Sequence, residues 1–102
     1  MRSTSGFFVI PAYNESVHIG GVVSQAIKIL PTLVVDDGSK DNTATIASKE
    51  GGQVLVQIPN QGKGEALKRG FKEALNLGCD YVITIDADGQ HDVQEAQKFI
   101  SQ

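Results

Sequence analysis

Apolar residues gather along the chain in four short runs: Phe7 to Ile10, Leu33 to Val35, Val54 to Ile58 and Tyr81 to Ile85. Each is rich in β-branched or aromatic residues and bounded by turn formers, which predicts strands. The first, second and fourth are almost unbroken, the pattern of strands buried on both faces of a parallel sheet. The third, Val54-Leu55-Val56-Gln57-Ile58, ends in alternation and is expected nearer an edge. Helical spacing fills the gaps. Residues 16–30 set Val17, Val22, Val23, Ile27 and Leu30 on one stripe, and Pro31 stops it. Residues 43–50 carry Ala44, Ile46 and Ala47, with Asp41 or Asn42 as N-cap and Gly51-Gly52 as terminator. Residues 63–77 place Ala66, Leu67, Gly70, Phe71, Ala74 and Leu75 on one face, ending at Gly78. Residues 92–100, with Val93, Ala96, Phe99 and Ile100, begin a fourth helix. His18 falls inside the first helix as a structural residue, and Cys79 is expected to be buried.

Strand and helix thus alternate four times. The expectation is an α/β fold, a Rossmann-like parallel sheet with helices on both faces and right-handed crossovers, forming a single domain over 1–102. Ligands of such folds sit at the carboxyl ends of the strands.

Composition narrows the classes. The chain has 102 residues, with 9 Lys+Arg against 12 Asp+Glu and a formal charge of −3, which argues against nucleic-acid binding. No apolar run reaches the ~18 residues of a membrane-crossing helix. The run Phe7 to Ala12 is too short for a signal-peptide core. The single Cys79 excludes an internal disulfide and a cysteine metal cluster. A cytoplasmic location, peripheral to the membrane at most, is expected.

Polar residues collect just after the strands, as the carboxyl-end rule requires. The four loops read Pro11-Ala12-Tyr13-Asn14-Glu15, Asp36-Asp37-Gly38-Ser39-Lys40-Asp41-Asn42, Pro59-Asn60-Gln61-Gly62-Lys63-Gly64 and Asp86-Ala87-Asp88-Gly89-Gln90-His91-Asp92. Seven of the twelve acidic residues lie there: Glu15, Asp36, Asp37, Asp41, Asp86, Asp88 and Asp92. Carboxylates crowded on one edge repel each other, and a bound cation relieves that repulsion. Asp86 and Asp88, two apart at a strand end, can converge on a hard divalent ion, Mg²⁺ or Mn²⁺, with Gln90 or His91 adding a donor. The competing reading is a plain Asp88-Gly89 turn with Asp92 as N-cap. An EF-hand is excluded, because its sixth and twelfth positions hold His91 and Gln97.

In the pair Asp36-Asp37, one carboxylate suits a turn and cap role, and Asp37 is favoured as the ligand contact. The Gly62-Lys63-Gly64 loop opens a helix, where backbone N–H groups favour an anion. It lacks the P-loop pattern, and no G-x-G-x-x-G occurs. Lys63 is a candidate loop contact, whereas Lys68, Arg69 and Lys72 read as a solvated face with Glu65–Arg69 and Arg69–Glu73 pairs. Tyr13 either stacks on a base, with Glu15 hydrogen-bonding to it, or packs the helix start. No Ser-His-Asp or Cys-His arrangement supports nucleophilic hydrolysis.

Together these four loops resemble family 2 glycosyltransferases of the GT-A fold, nearest to the dolichyl- or polyprenyl-phosphate sugar synthase branch. The resemblance implies sugar transfer from a nucleotide diphosphate sugar, UDP- or GDP-linked, with Mg²⁺ or Mn²⁺ and a polyprenyl phosphate as acceptor. It implies that Pro11, Tyr13, Glu15, Val35 and Asp37 line the base and ribose site. It places Asp86 and Ala87 on the nucleotide side, Lys63 at the loop, and Asp88 and Gln90 with Asp86 on the cation. Members of the family are much longer, so the acceptor-binding half and the catalytic base are expected outside this chain. The chain alone is expected to bind nucleotide and metal weakly, to transfer no sugar, and to self-associate through uncovered apolar surface. Rival readings are a haloacid-dehalogenase-like phosphatase, which shares the D-x-D at a strand end but normally on its first strand, a receiver-like signalling domain, and a nucleotide-binding module without catalysis.

Overall fold

In a computed structural model, which describes residues 5–100, the elements run β1 (Gly6–Ala12), α1 (Ile19–Ala26), β2 (Thr32–Asp36), α2 (Thr43–Lys49), β3 (Gln53–Val56), α3 (Lys63–Asn76), β4 (Tyr81–Thr84) and α4 (Gln90–Ile100). All strand pairs are parallel, in the order β3-β2-β1-β4. Ile10 pairs with Val34 and Pro11 with Val35, and Val9 pairs with Thr84 on the other side of β1.

The order explains the layers. Stepping from β1 to β2 to β3 in one direction with right-handed crossovers puts α1 and α2 on the same face. The return from β3 across the sheet to β4 then requires α3 on the opposite face. Packing follows that scheme. Phe8, Ile10 and Ala12 meet Ile19, Val22, Val23 and Ala26 of α1, Ala47 of α2 and Val93 of α4 in one cluster. Val9 and Leu33, from the other side of the sheet, meet Ala74 and Leu67 of α3 in a second. Alternate residues of β1 thus feed both clusters, as a period of two demands. Burying each large side chain here contributes about 1.5–3 kcal/mol relative to exposure.

Several expectations are corrected. β4 is an edge strand, although its apolar run matched those of the central strands. Ile83 packs on one cluster and Val82 on the other, so the run reflects covered faces rather than strand neighbours. α1 is shorter than 16–30, and Val17 lies outside it, 86% exposed. His18 is an exposed residue at the N-cap position, its Nδ1 3.3 Å from Glu15 Oε2. β3 ends at Val56, before Gln57 and Ile58. Phe99 and Leu75 are largely exposed, and Cys79 is only half-buried. Arg69 makes neither expected helix pair among the described residues; its Nη1 donates to the carbonyl of Val56 at 2.9 Å, at the end of edge strand β3. Among the described residues no helix is long and apolar enough to cross a membrane.

Candidate nucleotide-sugar site

The strand order reverses between β1 and β4, the place where open parallel sheets bind ligands. A cleft of ≈ 280 Å³ opens there, lined by Pro11, Ala12, Tyr13, Glu15, Asp37, Lys63, Ala66, Asp86, Ala87 and Asp88. Tips of β1, β2 and β4 and the first turn of α3 all contribute, so four segments distant in sequence form one wall.

Cross-links between the loops fix their shape. Asn14 adopts a positive φ of 53°, which Asn tolerates better than most residues. Its backbone N–H donates to Ser39 Oγ at 2.8 Å, and its Oδ1 accepts from Lys40 N at 2.8 Å. Glu15 N donates to Thr43 Oγ1, and Ser16 N to Asp41 Oδ2. The β1–α1 loop is therefore tied to the β2–α2 segment at three successive residues, Asn14, Glu15 and Ser16. Asn42 holds the N-cap position of α2 without a side-chain cap bond. Asp41 closes that end instead, accepting from the backbone and hydroxyl of Thr43.

The two adjacent aspartates divide their duties. Asp36 accepts from Ser39 N and Ser39 Oγ and closes its own turn. Asp37 lies almost wholly buried at the cleft and accepts three hydrogen bonds: Gln57 Nε2 at 2.9 Å and Gln61 N at 2.7 Å on Oδ1, and Gly62 N at 2.8 Å on Oδ2. Burial pushes the Asp37 carboxyl up, but the bonds from Gln61, Gln57 and Gly62 outweigh it and hold the pKa below the ordinary value. Gly38 lets this loop close: with φ +77°, a Cβ there would lie 3.0 Å from the Gln57 carbonyl oxygen and 3.3 Å from Asn60 N.

Lys63 Nζ donates to Asp86 Oδ1 at 2.8 Å. That hydrogen bond and the charge of Asp86, with Asp88 adding, raise the lysine pKa against a smaller opposing effect of burial. The carboxylates at the β4 tip thus already draw a cation. Mg²⁺ is typically held by one or two carboxylates together with substrate phosphates and water. The hard, exposed oxygens of Asp86 and Asp88 suit that arrangement, and among the described residues no set of three His, Cys, Asp or Glu converges into a closed metal cage.

Three sequence candidates stand apart from the cleft. Val35 is fully buried in β2, beneath Gly70 of α3. Gln90 begins α4, and its amide lies against Gly21 of α1. His91 Nε2 faces Glu95 along α4 at 3.7 Å. Asp92, the N-cap of the competing reading, is instead the third residue of α4, in its first turn. Conversely, sequence reasoning passed over Ala66 and Gln57. A signal for Gln57 existed: it is the polar break in the run Val54 to Ile58, and it is buried.

Acid should loosen this loop cage. The hydroxyl of Thr43 holds the Asp41 pKa at about 2, below its ordinary 3.8, with further bonds from Thr43 N and Ser16 against a smaller effect of burial. The unfolded chain therefore takes up a proton first as pH falls. This contribution is complete above about pH 4 and lost progressively towards pH 2. Asp37 acts in the same direction. Urea midpoints measured from pH 5 to pH 2 should fall through that window, with a shallower slope in Asp41→Asn. An identical slope in the variant would separate Asp41 from the acid transition.

Comparison with known proteins agrees with this geometry. The family model described as glycosyl transferase family 2 matches residues 7–102. The chain belongs to that family. An uncharacterized Methanocaldococcus jannaschii protein is 44% identical over 96 residues, covering 92% of this chain and 40% of that protein. The Methanococcus voltae UDP-N-acetylglucosamine–dolichyl-phosphate N-acetylglucosaminyltransferase is 36% identical over 113 residues, covering 92% of this chain and 45% of that enzyme. The chain thus spans less than half the length of either relative. Among solved structures, Mycobacterium tuberculosis glucosyl-3-phosphoglycerate synthase matches with a TM-score of 0.73 and 30% identity, over 83% of this chain and 34% of that one. That synthase has been crystallised with UDP and Mn²⁺ and with UDP and Mg²⁺. The α/β sheet is accordingly of the GT-A type, and the phosphatase and receiver readings fall away with the family match.

Proposed function

We propose that the cleft is the donor site of a glycosyltransferase. It takes a UDP- or GDP-sugar with Mg²⁺ or Mn²⁺, for transfer of the sugar to an acceptor of the polyprenyl-phosphate class. The observation that carries this reading is the meeting of Asp37, Lys63, Asp86 and Asp88 in one cleft where the sheet order reverses. The dolichyl-phosphate enzyme among the relatives supports the acceptor class, and the UDP and metal complexes of the mycobacterial synthase support the donor.

The roles follow from chemistry and position. Tyr13, 44% exposed, offers a ring face to the base, and Pro11, Glu15 and Asp37 complete the base and ribose wall. Val35 acts from below, as packing under α3. Lys63 leaves Asp86 for the diphosphate when the nucleotide enters. Asp86 and Ala87 face the nucleotide, and Asp86 and Asp88 would hold the cation, without Gln90, whose amide lies against Gly21. When bound, the metal neutralises charge on the departing diphosphate.

Thermal unfolding with UDP, with and without Mn²⁺, tests the reading. A ligand at a hundred times its Kd stabilises by about 2.7 kcal/mol, which raises the Tm of a domain this size by roughly 10 °C. Asp88→Asn, at an exposed position, should lose the Mn²⁺-dependent part and keep the unliganded Tm. No stabilisation by UDP with Mn²⁺ would refute a nucleotide site here.

A further inference from the structure

We infer that Gln57 is a specificity-determining residue of this site, setting Asp37 to receive a single donor from the base and so selecting uracil over guanine. The inference rests on the nucleotide reading above. Gln57 is a buried polar side chain, 3% exposed, in the turn after β3, and its backbone N–H extends the ladder to Asp36 O at 2.8 Å. Its amide is thus held by the sheet and aimed at Asp37.

A carboxylate offers about four acceptor positions, two on each oxygen. In Asp37 three are filled from within the protein. Oδ1 has both positions taken, by Gln57 Nε2 and Gln61 N, and Oδ2 has one taken, by Gly62 N. One acceptor position remains, on Oδ2. Two of the three donors are backbone groups, which every sequence supplies. Gln57 is the donor that the side chain at one position decides.

The pairing edges of the two candidate bases differ in the matching respect. Uracil presents one N–H between two carbonyls. Guanine presents two adjacent donors, its ring N–H and its exocyclic amino group, and that pair needs a free acceptor on each carboxylate oxygen. With Oδ1 filled, the second guanine donor finds no partner on Asp37. A site that leaves a buried polar group unpaired discriminates by about tenfold or more.

Calorimetric titration of UDP and of GDP, each with Mn²⁺, into the wild-type chain and Gln57→Met tests this. The expected wild-type result is UDP binding about tenfold or more tightly than GDP. In Gln57→Met, which keeps the volume and frees one position on Oδ1, the ratio should fall several-fold towards GDP. A purely structural role would weaken both nucleotides by the same factor and leave the ratio unmoved, which would overturn the inference. Equal or tighter GDP binding by the wild type overturns it too, while leaving the donor-site reading standing. Failure of both nucleotides to bind overturns both. Should Gln57→Met not fold, Gln57→Asn, whose shorter arm leaves Oδ1 unfilled, gives the same comparison.

Discussion

Replacing Asp37 with alanine should lower the urea midpoint of unfolding by roughly 2 M and abolish nucleotide binding. The buried amide of Gln57 and the backbone N–H groups of Gln61 and Gly62 all lose their acceptor in this variant. A buried donor left alone costs about 1–3 kcal/mol, and each bond water can replace about 0.5–1.5 kcal/mol, so the sum is about 3 kcal/mol. A chain of this length is stable by only about 5–15 kcal/mol, and a urea slope of about 1.5 kcal/mol/M converts the loss to the stated midpoint shift. Asp37→Asn should be nearly as damaging despite its matched shape. Its NH₂ group would turn a donor towards N–H groups already aimed at the carboxylate. If Asp37→Asn keeps the wild-type midpoint, the three bonds do not hold the β3–α3 loop as described.

The second large effect is expected at Gly70. A Cβ at this position would lie 2.4 Å from Val9 Cγ1 and 3.2 Å from Val35 Cγ2, both on fully buried strand residues with little rotamer freedom. Helix α3 must therefore back away from the sheet to admit any side chain. Gly70→Val should cost about 3 kcal/mol or more. Gly70→Ala should still destabilise by about 1–2 kcal/mol, even though alanine gains up to about 1 kcal/mol in helix propensity. Gly64, one turn and a half earlier on the same helix, has open space around its Cβ position. Gly64→Ala should therefore be neutral or stabilising by up to about 1 kcal/mol. Chemical denaturation followed by circular dichroism compares the three variants directly. Equal effects of alanine at Gly70 and Gly64 would show that α3 does not rest its backbone on β1 and β2.

The site lies at the same helix. Gly70 seats α3 against Val9 and Val35, and the first turn of that helix brings Lys63 and Ala66 to the cleft. Close packing at Gly70 and the ion pair at Asp86 thus belong to one structural unit, which accounts for a glycine and a basic residue seven positions apart.

The alternation of element types was legible because each type leaves its own local pattern. Short apolar β-branched runs between turn formers for strands and a stripe near 3.6 for helices gave four of each in the right order, and the carboxyl-end rule then located the polar loops. Those loops carried Tyr13, Glu15, Asp37, Lys63, Asp86 and Asp88, which the fold assembles in one cleft. The pattern misled where it reports something other than position. The apolar run of β4 measures coverage of its faces, and says nothing of its place at the sheet edge. Gln90 and His91 adjoin the acidic pair in sequence, yet they are already in helix α4, whose rotation carries one to Gly21 and the other to Glu95.

Local preference and periodicity are properties of short stretches, so the chain itself determined its element order, its turn positions and which residue types could reach a ligand. Strand order, the division of labour between Asp36 and Asp37, the contact of Gln57 with Asp37 and the seating of Gly70 on Val9 were decided only by the tertiary structure. Each joins residues separated by loops whose path depends on how helices fill the two faces of the sheet, and no local pattern encodes which distant side chain will arrive there.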